Sequence, residues 1–155
     1  MNALETEYMK FNKGFTIIEL LVVVALVTII GLTSVPFLSR FFLQNAVTNT
    51  YDQLAGELRK AQTYAMEGKQ NGPWGVYLNT SSNPYKIILY QGTDKGHIVK
   101  TFDTFIVNAN VAITGFTDVN FAQVTGTTSA AVTITIKGNN TIKTITVSTQ
   151  GVVNK

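Results

Sequence analysis

One acid stands alone in a long apolar run. Residues 15–38 read FTIIELLVVVALVTIIGLTSVPFL, with Glu19 as the single charged side chain. A carboxylate inside lipid costs about 3 kcal/mol even on lenient insertion scales, so Glu19 needs a cationic partner or a proton. Such a residue offers pairing rather than catalysis. Reactive side chains are otherwise sparse. The absence of cysteine excludes a disulfide framework, a zinc–thiolate site and a thiol nucleophile, and the single histidine, His97, excludes a multi-histidine metal site. His97 follows Asp94-Lys95-Gly96 in a turn-like stretch, without a serine or cysteine elbow or a glycine-rich phosphate loop, so the pattern is not that of an enzyme. Asp94, Asp103 and Asp118 are the candidates for a calcium loop, but they are not spaced as a compact ligand set, and neither metal nor cofactor is expected.

The elements that carry these residues follow from pattern. As a helix, the run of about 24 residues at 15–38 reaches about 36 Å, enough for a hydrocarbon core of about 30 Å. A signal peptide would have a shorter apolar region ending at small residues, whereas this run continues into helical sequence; a buried core helix is the other bland reading. Lys10 and Lys13 precede the run and Arg40 follows it, a weak bias toward a cytoplasmic amino end. Gly31 and Pro36 interrupt it, since proline removes a helical hydrogen bond and glycine weakens a helix by about 1 kcal/mol relative to alanine. A hinge and a static kink fit them equally well.

Beyond Pro36, Val47, Tyr51, Leu54, Leu58, Ala61 and Ala65 recur at steps of four and three, with Asp52, Glu57, Arg59, Lys60 and Glu67 between them. That spacing predicts an amphipathic helix ending near Gly68. From Trp74 onward Thr, Val, Ile, Tyr and Phe dominate between glycine and asparagine turns, which predicts an antiparallel sheet with strands at 75–78, 86–91, 98–102, 111–116, 120–124, 131–137 and 141–148. Val132, Ile134 and Ile136 alternate with polar residues, and Ile142, Ile145 and Val147 do so less regularly, as a half-buried hairpin requires. The 155 residues are 45% hydrophobic and 14% charged with a net charge of +3, consistent with one compact domain plus a membrane segment and too mildly basic to mark a nucleic-acid coat.

The stretch Lys13-Gly14-Phe15-Thr16-Ile17-Ile18-Glu19-Leu20-Leu21-Val22-Val23 closely resembles the processing signal of type IV pilins and type II secretion pseudopilins. The resemblance implies an α+β pilin-like fold, in which a long amino-terminal helix packs on a carboxyl-terminal antiparallel sheet. It implies a leader at 1–14, a transmembrane and filament-core helix at 15–38, an amphipathic half at 39–70 and an extracytoplasmic sheet domain at 71–155. A prepilin peptidase would cut after Gly14 and methylate the new amine of Phe15, leaving 141 of the 155 residues. The residue types suit those steps. Gly14 lets extended backbone approach a protease without a side chain in the way. The amine created at Phe15 lies four residues before Glu19, on the same helical face, or within reach of a neighbouring subunit's acid. Leu58-Arg59-Lys60-Ala61-Gln62-Thr63-Tyr64-Ala65, Trp74-Gly75-Val76-Tyr77-Leu78 and the ending around Val119-Asn120-Phe121, Gly126 and residues 148–152 resemble the H-type minor pseudopilins and their pilus relatives.

The implied work is assembly: a subunit held in the cytoplasmic membrane, its carboxyl-terminal domain outside the cytoplasm, and extracted by a membrane assembly platform into a filament with other pilins or pseudopilins. Protein secretion, pilus initiation and a major-pilin role all remain compatible. A DNA-uptake pilin is the alternative, with Lys95, Lys100, Lys137, Lys143 and Lys155 as candidates. Scattered lysines usually mark a solvated face, and residues 150–155 contain no arginine, so DNA is not an expected partner.

Overall fold

The computed structural model describes residues 14–155, apart from the side chains at 33–37. The leader, with Lys13, and the side chain of Pro36 lie outside the described residues. The chain forms two compact units, Met1–Leu38 and Ser39–Lys155, and helix α1 is assigned over Ile17–Met66.

In the first unit the large side chains from Ile17 to Leu32 are exposed on every side of the helix. A helix apolar all round is one made for burial in lipid or protein. Apart from Glu19, the polar side chain within Ile17 to Leu32 is Thr28, which satisfies its hydroxyl on the carbonyl of Val24 at 2.7 Å. Among the described residues no helix is long and apolar enough to cross a membrane. The stretch from Ile17 to Leu32 by itself spans about 24 Å of helix.

The second unit is built as the periodicity predicts. Val47, Leu54, Leu58, Ala61 and Ala65 are fully buried and Tyr51 is half-buried. The helix stops where Gly68 adopts a left-handed φ of 63°, followed by a 3-10 turn over Lys69–Asn71. Eight strands follow: β1 Trp74–Asn79, β2 Lys86–Gly92, β3 Ile98–Ile106, β4 Ala112–Thr114, β5 Asp118–Phe121, β6 Val132–Gly138, β7 Thr141–Val147 and β8 Val153–Asn154. They pair antiparallel in two four-stranded sheets, ordered β3-β2-β1-β5 and β4-β6-β7-β8.

Two sheets replace the single one expected, because the chain changes sheet three times, between β3 and β4, between β4 and β5 and between β5 and β6. Gly115 lies in the β4–β5 connection at a φ of 91°, with its Cα so close to the Thr133 carbonyl that a Cβ would sit 2.1 Å from the oxygen. The strand expected at 120–124 accordingly shifts to Asp118–Phe121, and the one at 98–102 extends to Ile106. The closing hairpin forms as expected, and its register sets Ile134 opposite Ile145, both buried. Ile142 falls on the other face and is exposed, since the inward set on β7 is odd-numbered.

One apolar core joins the buried stripe of the helix to both sheets. Trp74, fully buried at its centre, donates from Nε1 to the Lys69 carbonyl at 2.9 Å and packs between the rings of Tyr64 and Phe102.

Candidate functional site

The amino-terminal site is set by how the helix begins. Residues 14–16 are non-helical, and Thr16 immediately precedes the first helical residue. Its Oγ1 accepts the Glu19 N–H at 3.2 Å, and its carbonyl accepts the Leu20 N–H at 3.2 Å. Thr16 is therefore the N-cap and Glu19 the third helical residue. Thr16-Ile17-Ile18-Glu19 has the residue types of a capping box. The negative side chain of Glu19 sits in the first turn, where unsatisfied N–H groups carry the positive end of the helix dipole. Sequence reasoning centred on Glu19 overlooked the cap, although a Thr three residues before an acid at the head of an apolar run was its signal.

Gly14 and Phe15 are exposed, Phe15 at 85%, and nothing lies within 4 Å of where a Gly14 Cβ would be. Among the described residues, then, no other group packs on Gly14. Among the described residues no contact joins the Glu19 carboxylate to Phe15, whose nitrogen in the uncleaved chain is a peptide amide. Gly31 is exposed within α1, and α1 stays helical through Gly31 and Pro36.

The other candidate groups are dispersed and committed elsewhere. Asp94 accepts the backbone N–H of Gly96 at 2.6 Å and the His97 ring at 2.9 Å, and these bonds hold its carboxyl below the usual range. Asp103 accepts from Lys60 Nζ at 2.6 Å, with the same effect on its carboxyl. Asp118 accepts from the Tyr90 hydroxyl at 2.7 Å and from the Lys95 N–H at 2.9 Å. Tyr90 is buried, and burial with the Asp118 bond pushes its phenol far above its ordinary value. Among the described residues no three His, Cys, Asp or Glu side chains could hold a metal ion together.

The lysines are equally divided. Lys155 pairs with Asp52 at 2.6 Å, and both Lys155 and Lys143 lie over the Tyr51 ring, at 5.4 and 4.7 Å. Lys100 lies 5.1 Å from the Phe102 ring, while Lys95 and Lys137 are exposed.

Residues 9–35 match the prokaryotic N-terminal methylation motif. The fold resembles the crystal structure of the type IV minor pilin FimU of Pseudomonas aeruginosa, with a TM-score of 0.56 and 15% identity over 72% of this chain and 90% of that one. No curated protein matches the chain. The chain thus carries a prokaryotic N-terminal methylation motif ahead of a fold like that of a type IV minor pilin.

Proposed function

We propose that the chain is a structural subunit, a minor pseudopilin or minor pilin of the H type, that assembles through its amino-terminal helix. The observation that carries this reading is the capped start of an all-apolar helix, with Glu19 in its first turn, directly after an exposed Gly14–Phe15 bond. Cleavage there by a prepilin peptidase frees the Phe15 amine for methylation and leaves Glu19 as the only charge in residues 15–38 besides that amine. Residues 15–38 then anchor the subunit in the cytoplasmic membrane and later line a filament core, with residues 39–155 outside the cytoplasm. Such a helix suits both environments, because its backbone bonds are internal and its one acid can be neutralised by pairing. Gly31 and Pro36 would supply a hinge for extraction.

The same geometry disfavours the DNA-uptake alternative, since Lys143 and Lys155 converge on Tyr51 and Asp52 within the domain. Intact-mass measurement of the protein from cells with and without prepilin peptidase tests the assignment. The expected mature form lacks residues 1–14 and carries one added methyl group. A pool that stays unprocessed in peptidase-positive cells would overturn it.

A further inference from the structure

At one end of the sheet domain the turn at 80–85, between β1 and β2, faces the connection at 107–112, between β3 and β4, across a cleft of about 590 Å³. That size lies within the roughly 300–1,000 Å³ of small-molecule sites. The two loops are tied together where Val107 N–H donates to the Tyr85 carbonyl at 2.9 Å. Each loop also satisfies its own backbone: Ser81 N–H donates to Asn79 Oδ1 at 2.9 Å, and Asn110 N–H to Asn108 Oδ1 at 3.0 Å. Val107 and Val111, 1% and 4% exposed, form an apolar base.

The lining is hydroxyl- and amide-rich and contains no Asp, Glu, Lys, Arg or His. Among the described residues the side chains of Thr80, Asn83, Tyr85 and Asn110 make no hydrogen bond to another protein group, so their donors and acceptors are unspent. Tyr85 keeps 40% of its surface exposed and offers an aromatic ring beside them.

We propose that this cleft binds a neutral saccharide. A phosphate, carboxylate or amine would find no opposite charge here, and burying an unpaired charge is costly. A purely apolar ligand would strand the free amides and hydroxyls. A sugar ring matches what is present: C–H faces for Tyr85, Val107 and Val111, and a rim of hydroxyls that both donate and accept, as the asparagine amides do. The cleft lies apart from the amino-terminal motif, so this inference stands whether or not the assembly reading does.

The test is a titration of the full ¹⁵N-labelled chain in phosphocholine micelles, which avoid sugar-headed detergents, with maltotriose, cellotriose and triacetylchitotriose as probes. At least one should shift the amides at 80–85 and 107–112 saturably. Tyr85→Ala and Asn110→Ala should each weaken that binding about tenfold, and Tyr85→Phe less than Tyr85→Ala, because the ring is kept. These side chains project from exposed loops, and an otherwise unchanged amide spectrum verifies that each variant folds. Failure of all three sugars to move these amides would overturn the proposal. So would equal binding by a sulfated disaccharide, or stronger shifts of the same amides by an uncharged glycine-serine peptide.

Discussion

Lys60 Nζ donates to Asp103 Oδ2 at 2.6 Å and so fastens α1 to the outer strand β3, while Glu57, one turn earlier, lies 3.7 Å from the same ammonium without a hydrogen bond. The Oε2 atom of Glu57, the one that faces this ammonium, is buried and has no hydrogen-bond partner among the described residues. One cation thus serves two carboxylates unequally. The Asp103 bond raises the Lys60 pKa and depresses that of Asp103, while burial pushes Glu57 up.

The two acids should therefore respond to pH in opposite directions. Glu57 is raised on folding, so its favourable contribution is present below the unfolded carboxyl value and lost as pH rises through the folded one. Glu57→Gln should raise the urea midpoint at pH 7 and leave it nearly unchanged at pH 4. Asp103 is depressed, so its contribution is present above the unfolded value and lost as pH falls through the folded one. Asp103→Asn should lower the midpoint at pH 7, with the difference shrinking in acid. A loss of stability in Glu57→Gln at pH 7 would contradict the assignment of Glu57 as the excess charge.

Much of the helix was legible because steps of four and three leave one face for burial. Val47, Leu54, Leu58, Ala61 and Ala65 are fully buried on that face, and Tyr51 is half-buried there. The closing hairpin was legible for the same reason at period two. Strand partners were not, because alternation states which side of a strand is apolar and not which sheet it joins. Gly115 reads as an ordinary turn residue until Thr133 is known to lie against it. The amino-terminal site was readable as chemistry at Gly14, Phe15 and Glu19. The cap at Thr16 needed the helix start to be fixed to the residue. Nothing in the sequence brings 80–85 to 107–112, which meet only because β2 pairs with both β1 and β3.

The buried stripe sets the stability of the domain. Truncating a fully buried leucine costs about 2–5 kcal/mol. Leu54→Ala and Leu58→Ala should each lower the unfolding free energy of a fragment comprising residues 39–155 by an amount in that range, read from urea denaturation. The fragment should itself fold, since it coincides with one compact unit. Unchanged melting of both variants would show that the stripe does not pack on the sheets.

Gly151 should tolerate no side chain. Its φ of 82° is left-handed, and a Cβ there would lie 1.9 Å from the Gly126 carbonyl oxygen. Gly126 is itself left-handed and sits against Met66 at the end of the helix. Gly151→Ala should thus separate the 126 turn from the 148–152 turn and destabilise the domain by more than the roughly 1–3 kcal/mol of a strained backbone alone. Calorimetry would show a lowered transition, whereas Val152→Ala, at an exposed neighbour, should melt close to the parent.

Glu19 carries the prediction that most directly concerns assembly. Its backbone N–H is engaged by Thr16, but its carboxylate has no partner among the described residues, so in an isolated helix only the helix dipole favours the charge. Glu19→Ala removes a desolvation cost and should accumulate in the membrane at least as well as the parent. Glu19→Gln keeps the shape and hydrogen-bonding capacity without the charge, which separates ion pairing from neutral hydrogen bonding. Both should still be cleaved after Gly14, and both should enter sheared filaments, or cross-link to other pilins, much less than the parent. Thr16→Val supplies the control. It deletes the hydroxyl cap, a loss of about 1 kcal/mol in helix stability, while leaving the carboxylate in place. If the charge registers one subunit against the amine of the next, Thr16→Val should assemble far better than either Glu19 variant. Equal incorporation of Glu19→Ala, Glu19→Gln and the parent would defeat charge registration, and a Thr16→Val defect as deep as theirs would transfer the role from the carboxylate to the capped first turn.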